Sequence, residues 1–109
     1  MTAKEFLKRL PEALNARAAA GTEATIQFEL PEPVHQVLKD GSLTVFEGAA
    51  ESPDLTIVIG DENLVQLFRG ELNPMTAFAT GKVKLKGNMM LAQKFMGMFD
   101  QKKIASFES

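Results

Sequence analysis

Few side chains in this sequence could do chemistry, and each meets an obstacle. His35 is the single histidine, hence the one imidazole available as a base. It stands beside an extended stretch after Pro33 with no serine- or aspartate-bearing nucleophile motif, so a structural or surface place is expected for it. Gly81-Lys82 has the ending of a phosphate-binding loop, yet Val83 occupies the position where Ser or Thr would hold magnesium and Thr76 the position of the first glycine. That motif fails. Glu29, Glu32, Asp61 and Glu62 fall at a strand face, a turn and a helix start, where solvent or capping accounts for them, and no acid/base pair emerges. The absence of cysteine excludes disulfides, zinc-thiolate sites, iron–sulfur clusters and thiol nucleophiles. The reading is therefore a protein that is not an enzyme, with no cofactor and no metal.

Two distributions are more informative than any motif. Residues 1–81 carry six basic and twelve acidic side chains and residues 82–109 six basic and two acidic, so a net charge of −2 conceals a basic C-terminal quarter. Nucleic acid is not expected as a partner: the pI is about 5.4, Trp and Tyr are absent, and no helix gathers Arg or Lys with aromatics on one face. A transient contact with an anionic membrane and a solvated strand face are the two readings of the lysines. Met75, Met89, Met90, Met96 and Met98 make five of the six methionines fall in the last 35 residues. Methionine is unbranched and polarizable, so it fills core gaps or lines cavities that adapt to varied ligands.

These side chains need elements to position them, and 109 residues suffice for one domain, 1–109. Thr2 and Glu5 match a capping box, and Phe6, Leu7, Leu10 and Leu14 recur at helical spacing, which predicts a first helix over 1–20 that Pro11 kinks or splits. Ala24, Ile26, Phe28 and Leu30 alternate with polar residues as in a half-buried strand. Two strands about Asp40-Gly41 and another at "DLTIVIG" follow, and a consecutive antiparallel meander is the economical arrangement. Leu64, Leu67 and Phe68 mark a short helix ending at Gly70, and Asn73-Pro74 starts a second that runs to Gly81. In "KVKLKG", Val83 and Leu85 share one face of a strand and the lysines the other; Asn88 then caps a closing apolar helix, and 100–109 is a C-terminal tail whose Ile104 and Phe107 either close over the core or fray. The fold class expected is α+β, two-layered.

The stretch "LFRGELNPMTAFATGKVKLKGNMMLAQKF", residues 67–95, resembles the signature region of the sterol-carrier-protein type-two family, the nonspecific lipid-transfer proteins. Gly70, Asn73-Pro74, Phe78, Gly81-Lys82, Gly87 and Leu91-Ala92 carry the likeness in order, and with the upstream elements it extends over residues 5–99. The resemblance implies a five-stranded, mostly antiparallel sheet covered on one face by helices enclosing an apolar tunnel, with the fifth strand inserted beside an earlier one by a crossover. It implies lipid binding and lipid transport without catalysis, the ligand being a fatty acid, fatty acyl-CoA or similar apolar molecule. On that basis the lipid-binding residues expected are Ile26 and Phe28 on the sheet floor, Met75 and Phe78 in the middle wall, and Met90, Leu91, Phe95 and Met98 on the closing helix. Gln36, on a face otherwise apolar at Val34 and Leu38, is the candidate for the ligand's polar end, and Lys82 and Lys94 for anionic head groups. An accessory module that presents an isoprenoid or acyl intermediate to partner enzymes is the alternative. A monomer or weak homodimer is expected, and a cytoplasmic one, since the start lacks a signal-peptide core and the end reads Phe-Glu-Ser rather than Ser-Lys-Leu.

Overall fold

The computed structural model describes residues 2–107. The first helix is split, as Pro11 demands: α1 (Ala3–Arg9) gives way to a 3-10 turn (Leu10–Ala13), Leu14 is extended, and α2 (Ala16–Ala19) follows. Thr2 and Glu5 form the full capping box. Pro11 has no N–H for the Leu7 carbonyl, and Leu10 N donates to it instead. Leu14 then pairs with Phe99, flanked by Asn15 N to Met98 O at 2.7 Å and Asp100 N to Ala13 O at 2.8 Å. The break thus ties the start of the chain to its end.

The strands are β1 (Ala24–Glu29), β2 (Val34–Lys39), β3 (Ser42–Glu47), β4 (Leu55–Ile59) and β5 (Val83–Gly87), in the order β3-β2-β1-β4-β5. The β2–β3 hairpin turns at Asp40 and Gly41, with φ of 54° and 73°, the two left-handed positions of a type I′ turn. The meander expectation fails after β3. The chain crosses over two strands, and β4 pairs in parallel with β1, Ile26 beside Leu55 and Phe28 beside Ile57. The crossover expected of the fifth strand therefore belongs to the fourth; β5 is an edge strand, antiparallel to its predecessor. Burial is the physical reason. β4 is covered on nearly its whole length and β1 on its inner face and at Gln27, and strands with so little wet surface belong inside a sheet. On the outer face the cover comes from the crossing segment itself, where Ala50 N donates to Gln27 Oε1 at 2.8 Å. Gln27, expected in solvent, is buried.

The helices α3 (Asp61–Phe68), α4 (Pro74–Ala79), α5 (Met89–Met96) and α6 (Gln101–Ala105) complete the chain. In register, Ala24, Ile26, Phe28, Val34, Gln36, Leu38, Leu55, Ile57, Ile59, Val83 and Leu85 share the inner face of the sheet. Between this face and the helices runs a line of rings: Phe107–Phe6–Phe68–Phe95–Phe28, centroids 5.5 to 6.5 Å apart, with Phe99 against both Phe68 and Phe95. Such tilted and edge contacts add about 0.5–1.5 kcal/mol per pair beyond burial. The segment at 101–107 does not fray: Ile104 and Phe107 are buried, Arg9 lies 4.7 Å over the Phe107 ring, and Arg69 donates to its carbonyl at 3.0 Å. Among the described residues no helix is long and apolar enough to cross a membrane.

Candidate functional site

The nine residues expected to hold a ligand divide into two sets. Ile26, Phe28, Leu91, Phe95 and Met98 lie in the core, and Gln36 joins them there. Ile26, Phe28, Gln36 and Phe95 expose no surface that water can reach, so side chains fill the layers around these four. Met75, Phe78 and Met90 are the opposite. They are 80%, 53% and 79% exposed, large values for apolar side chains, and Met89 beside them is exposed too. The middle wall expected of Met75 and Phe78 is therefore surface.

Each set is positioned by local chemistry. Asn73 accepts from Met75 N (2.8 Å) and Thr76 N (3.3 Å), and Pro74 opens α4 with its φ preset. Lys82 N donates to Ala77 O at 2.8 Å, which seats α4 at the Val83 end of β5. At the other end Asn88 caps α5 through Leu91 N. Gly87 has φ 105°, and a Cβ there would stand 2.5 Å from Asp54 O. Asp54 is the stitch at this corner: its carboxylate accepts from Thr25 N and its amide donates to Thr25 O, both at 2.8 Å, while its carbonyl accepts from Asn88 N at 3.1 Å. The two exposed groups sit at opposite ends of β5, roughly 13 Å apart at strand spacing.

Beside the Gly87 corner opens a cleft of about 430 Å³ lined by Gly21, Thr22, Glu23, Ala24, Asp54, Asn88, Met90, Leu91 and Lys94. Met90, Leu91 and Lys94 were expected near a ligand. The turn residues opposite them were not, because a turn becomes a wall only through the sheet's crossover, which no local pattern announces. Gln36 donates from Nε2 to the Leu7 carbonyl at 3.1 Å, adding a second donor where Pro11 supplies none, and its Oε1 has no partner. Among the described residues the ion pairs lie elsewhere, Lys4 with Glu32 (3.4 Å) and with Glu47, Lys8 with Glu47 (3.8 Å) and Arg9 with Glu12 (3.3 Å). The hydrogen bond between Lys4 and Glu47 holds the carboxyl below its ordinary range and raises the ammonium above its own. His35 stacks on Phe46 at 5.1 Å and donates from Nδ1 to Gly48 O at 2.9 Å, so its role is to pin the start of the crossover. Among the described residues no three metal-binding side chains come together.

The profile of the SCP-2 sterol transfer family matches residues 3–100. The chain belongs to that family. Among its relatives, the peroxisomal multifunctional enzyme type 2 of Mus musculus is 47% identical over 58 residues, 52% of this chain, and sterol carrier protein 2 of Bos taurus 39% identical over 61 residues, 56% of it. These regions are only 8% and 11% of the two relatives' own lengths. Of the solved structures, the sterol carrier protein domain 2 of Helicoverpa armigera is 30% identical with a TM-score of 0.68, covering 97% of this chain and 88% of that one. A stereoselective inverting sec-alkylsulfatase from a Pseudomonas species reaches a TM-score of 0.86 at 26% identity, over 99% of this chain and 17% of that one. The mixed five-stranded sheet with helices is thus the family's fold.

Proposed function

We propose that the chain is a carrier of single-chain lipids, fatty acid or fatty acyl-CoA, that it binds by burial and without a reaction of its own. The observation that carries the reading is the two pairs of uncovered apolar side chains, Met75 with Phe78 and Met89 with Met90, the second of them next to a core continued inward by Leu91, Phe95 and Phe28. A family relative from Aedes aegypti, 25% identical with a TM-score of 0.65 and covering 88% of this chain, is described as palmitated, which supports the same ligand class here. An acyl chain enters by parting α4 and α5 from the sheet. α4 is suited to move, with Ala77 its one buried residue. Burying six methylenes contributes about 5 kcal/mol at ~0.8 kcal/mol each, which offsets such an opening. Gln36 Oε1, buried and without a donor, is the group we assign to a ligand's hydroxyl or protonated acid.

Organic extraction and mass spectrometry of the purified protein, with displacement of a fluorescent fatty acid, tests the reading. Co-purified lipid and saturable displacement are expected; neither appearing sinks it. A second reading, a module presenting an acyl or isoprenoid intermediate to a partner enzyme, is favoured by the relatives' greater length and by the enzyme name that the relative from Mus musculus bears. Co-purification with such an enzyme, lost in Phe78→Ser, distinguishes it from free carriage.

A further inference from the structure

We propose that the β5 edge of the sheet, flanked by α4 and the start of α5, is a docking surface for an anionic lipid bilayer. From Leu72 to Phe99 the chain carries four lysines and no acidic residue. Within residues 73–90 only Ala77 and Val83 are buried, and Leu85 is half-buried. Lys82, Lys84 and Lys86 are exposed, and none of them joins an ion pair among the described residues. The strand partners of Lys84 and Lys86 are Val58 and Thr56, which bring no countercharge. Lys94 faces Glu23 and Asp54 across the cleft, so the positive charge of this edge is that of β5.

Lysine on an edge strand also blocks pairing with other sheets. That accounts for the lysines and leaves Met75, Phe78, Met89 and Met90 without explanation, since a surface kept only for solubility disperses its large apolar side chains. Cations on the strand between apolar groups at both of its ends match a bilayer surface, where phosphate and carboxylate head groups overlie acyl chains. The inference rests on the carrier reading for what docking would serve: Met90 stands both at this edge and on the cleft, so a docked molecule opens its cleft at the lipid.

Flotation of the full chain with phosphatidylcholine vesicles, with and without phosphatidylserine, tests it. Binding is expected to the mixed vesicles alone and to weaken as salt rises. Lys84→Gln with Lys86→Gln should lower partition about thirtyfold, at roughly one head-group interaction per lysine. Met75→Ser with Phe78→Ser should lower it about tenfold or more at constant salt. The pair Lys102→Gln and Lys103→Gln, on α6, should change it less than twofold. No binding to mixed vesicles, equal binding to neutral ones, or equal losses from the β5 and α6 pairs overturns the proposal. So does a sedimentation-velocity dimer that Met75→Ser with Phe78→Ser dissociates, for then a second copy covers the edge. Fatty-acid displacement on the same samples separates the two readings: intact displacement without flotation removes only the docking surface, and flotation without displacement removes only the carrier.

Discussion

Among the glycines of the described residues, Gly87 is the one where an added Cβ would collide with backbone. Its φ of 105° and the Asp54 carbonyl, 2.5 Å from any Cβ, exclude every other side chain at the turn from β5 into α5. Gly87→Ala should destabilise by roughly 3 kcal/mol, from left-handed strain and the clash together, measured by urea unfolding. Phe95 and Phe78 provide a contrast between identical side chains. Phe95 is fully buried against Phe28, Phe68 and Phe99, and Phe95→Ala should cost about 4 kcal/mol. Phe78→Ala should change stability by no more than about 0.5 kcal/mol while weakening lipid binding. Equal stability losses would place Phe78 in the core and refute the division of the site. The helical spacing of both phenylalanines was legible in the sequence; which of them faced inward was not, because a six-residue helix offers too few turns to define one apolar stripe.

At the scale of elements, the Lys4–Glu47 pair fastens α1 to the end of β3. A carboxyl whose folded value lies below its unfolded one contributes stability that is present above the unfolded value and lost as pH falls through the folded one. A lysine raised above its unfolded value does the reverse, losing its contribution as pH rises through the folded value. The pair is therefore fully formed between the two ordinary values, 4.5 and 10.5. The difference in Tm between the wild type and Glu47→Gln should be present at neutral pH and vanish well below 4.5; a difference that persists in acid contradicts this. The helix α6 is held by burial instead of charge. Ile104→Ala should cost about 3 kcal/mol, because α6 holds Phe107 against Phe6 and the 3-10 turn. Sequence spacing located helices and strands here because N-caps, Pro at the first helical position and alternation act within a few residues. The pairing of β4 with β1 carried only a faint mark, the nearly unbroken apolar run Leu55-Thr56-Ile57-Val58-Ile59, typical of a strand covered on both faces.

Across the whole molecule, the sequence by itself determined the family, the α+β class, the caps, the hairpin turn and the residue types of an apolar site. These depend on local backbone preferences and on the order of glycines, prolines and apolar positions along the chain. The tertiary structure decided the rest. It moved the crossover from β5 to β4, buried Gln27 beneath the crossing segment, and joined Leu14 to Phe99 across the chain. It also divided the expected site, closing Ile26, Phe28, Gln36, Leu91, Phe95 and Met98 into the core and leaving Met75, Phe78 and Met90 outside. The physical reason is that burial belongs to pairs of surfaces. A methionine or phenylalanine carries the same apolar area wherever it stands, and only the elements that meet it decide whether that area packs a core or stays at the surface.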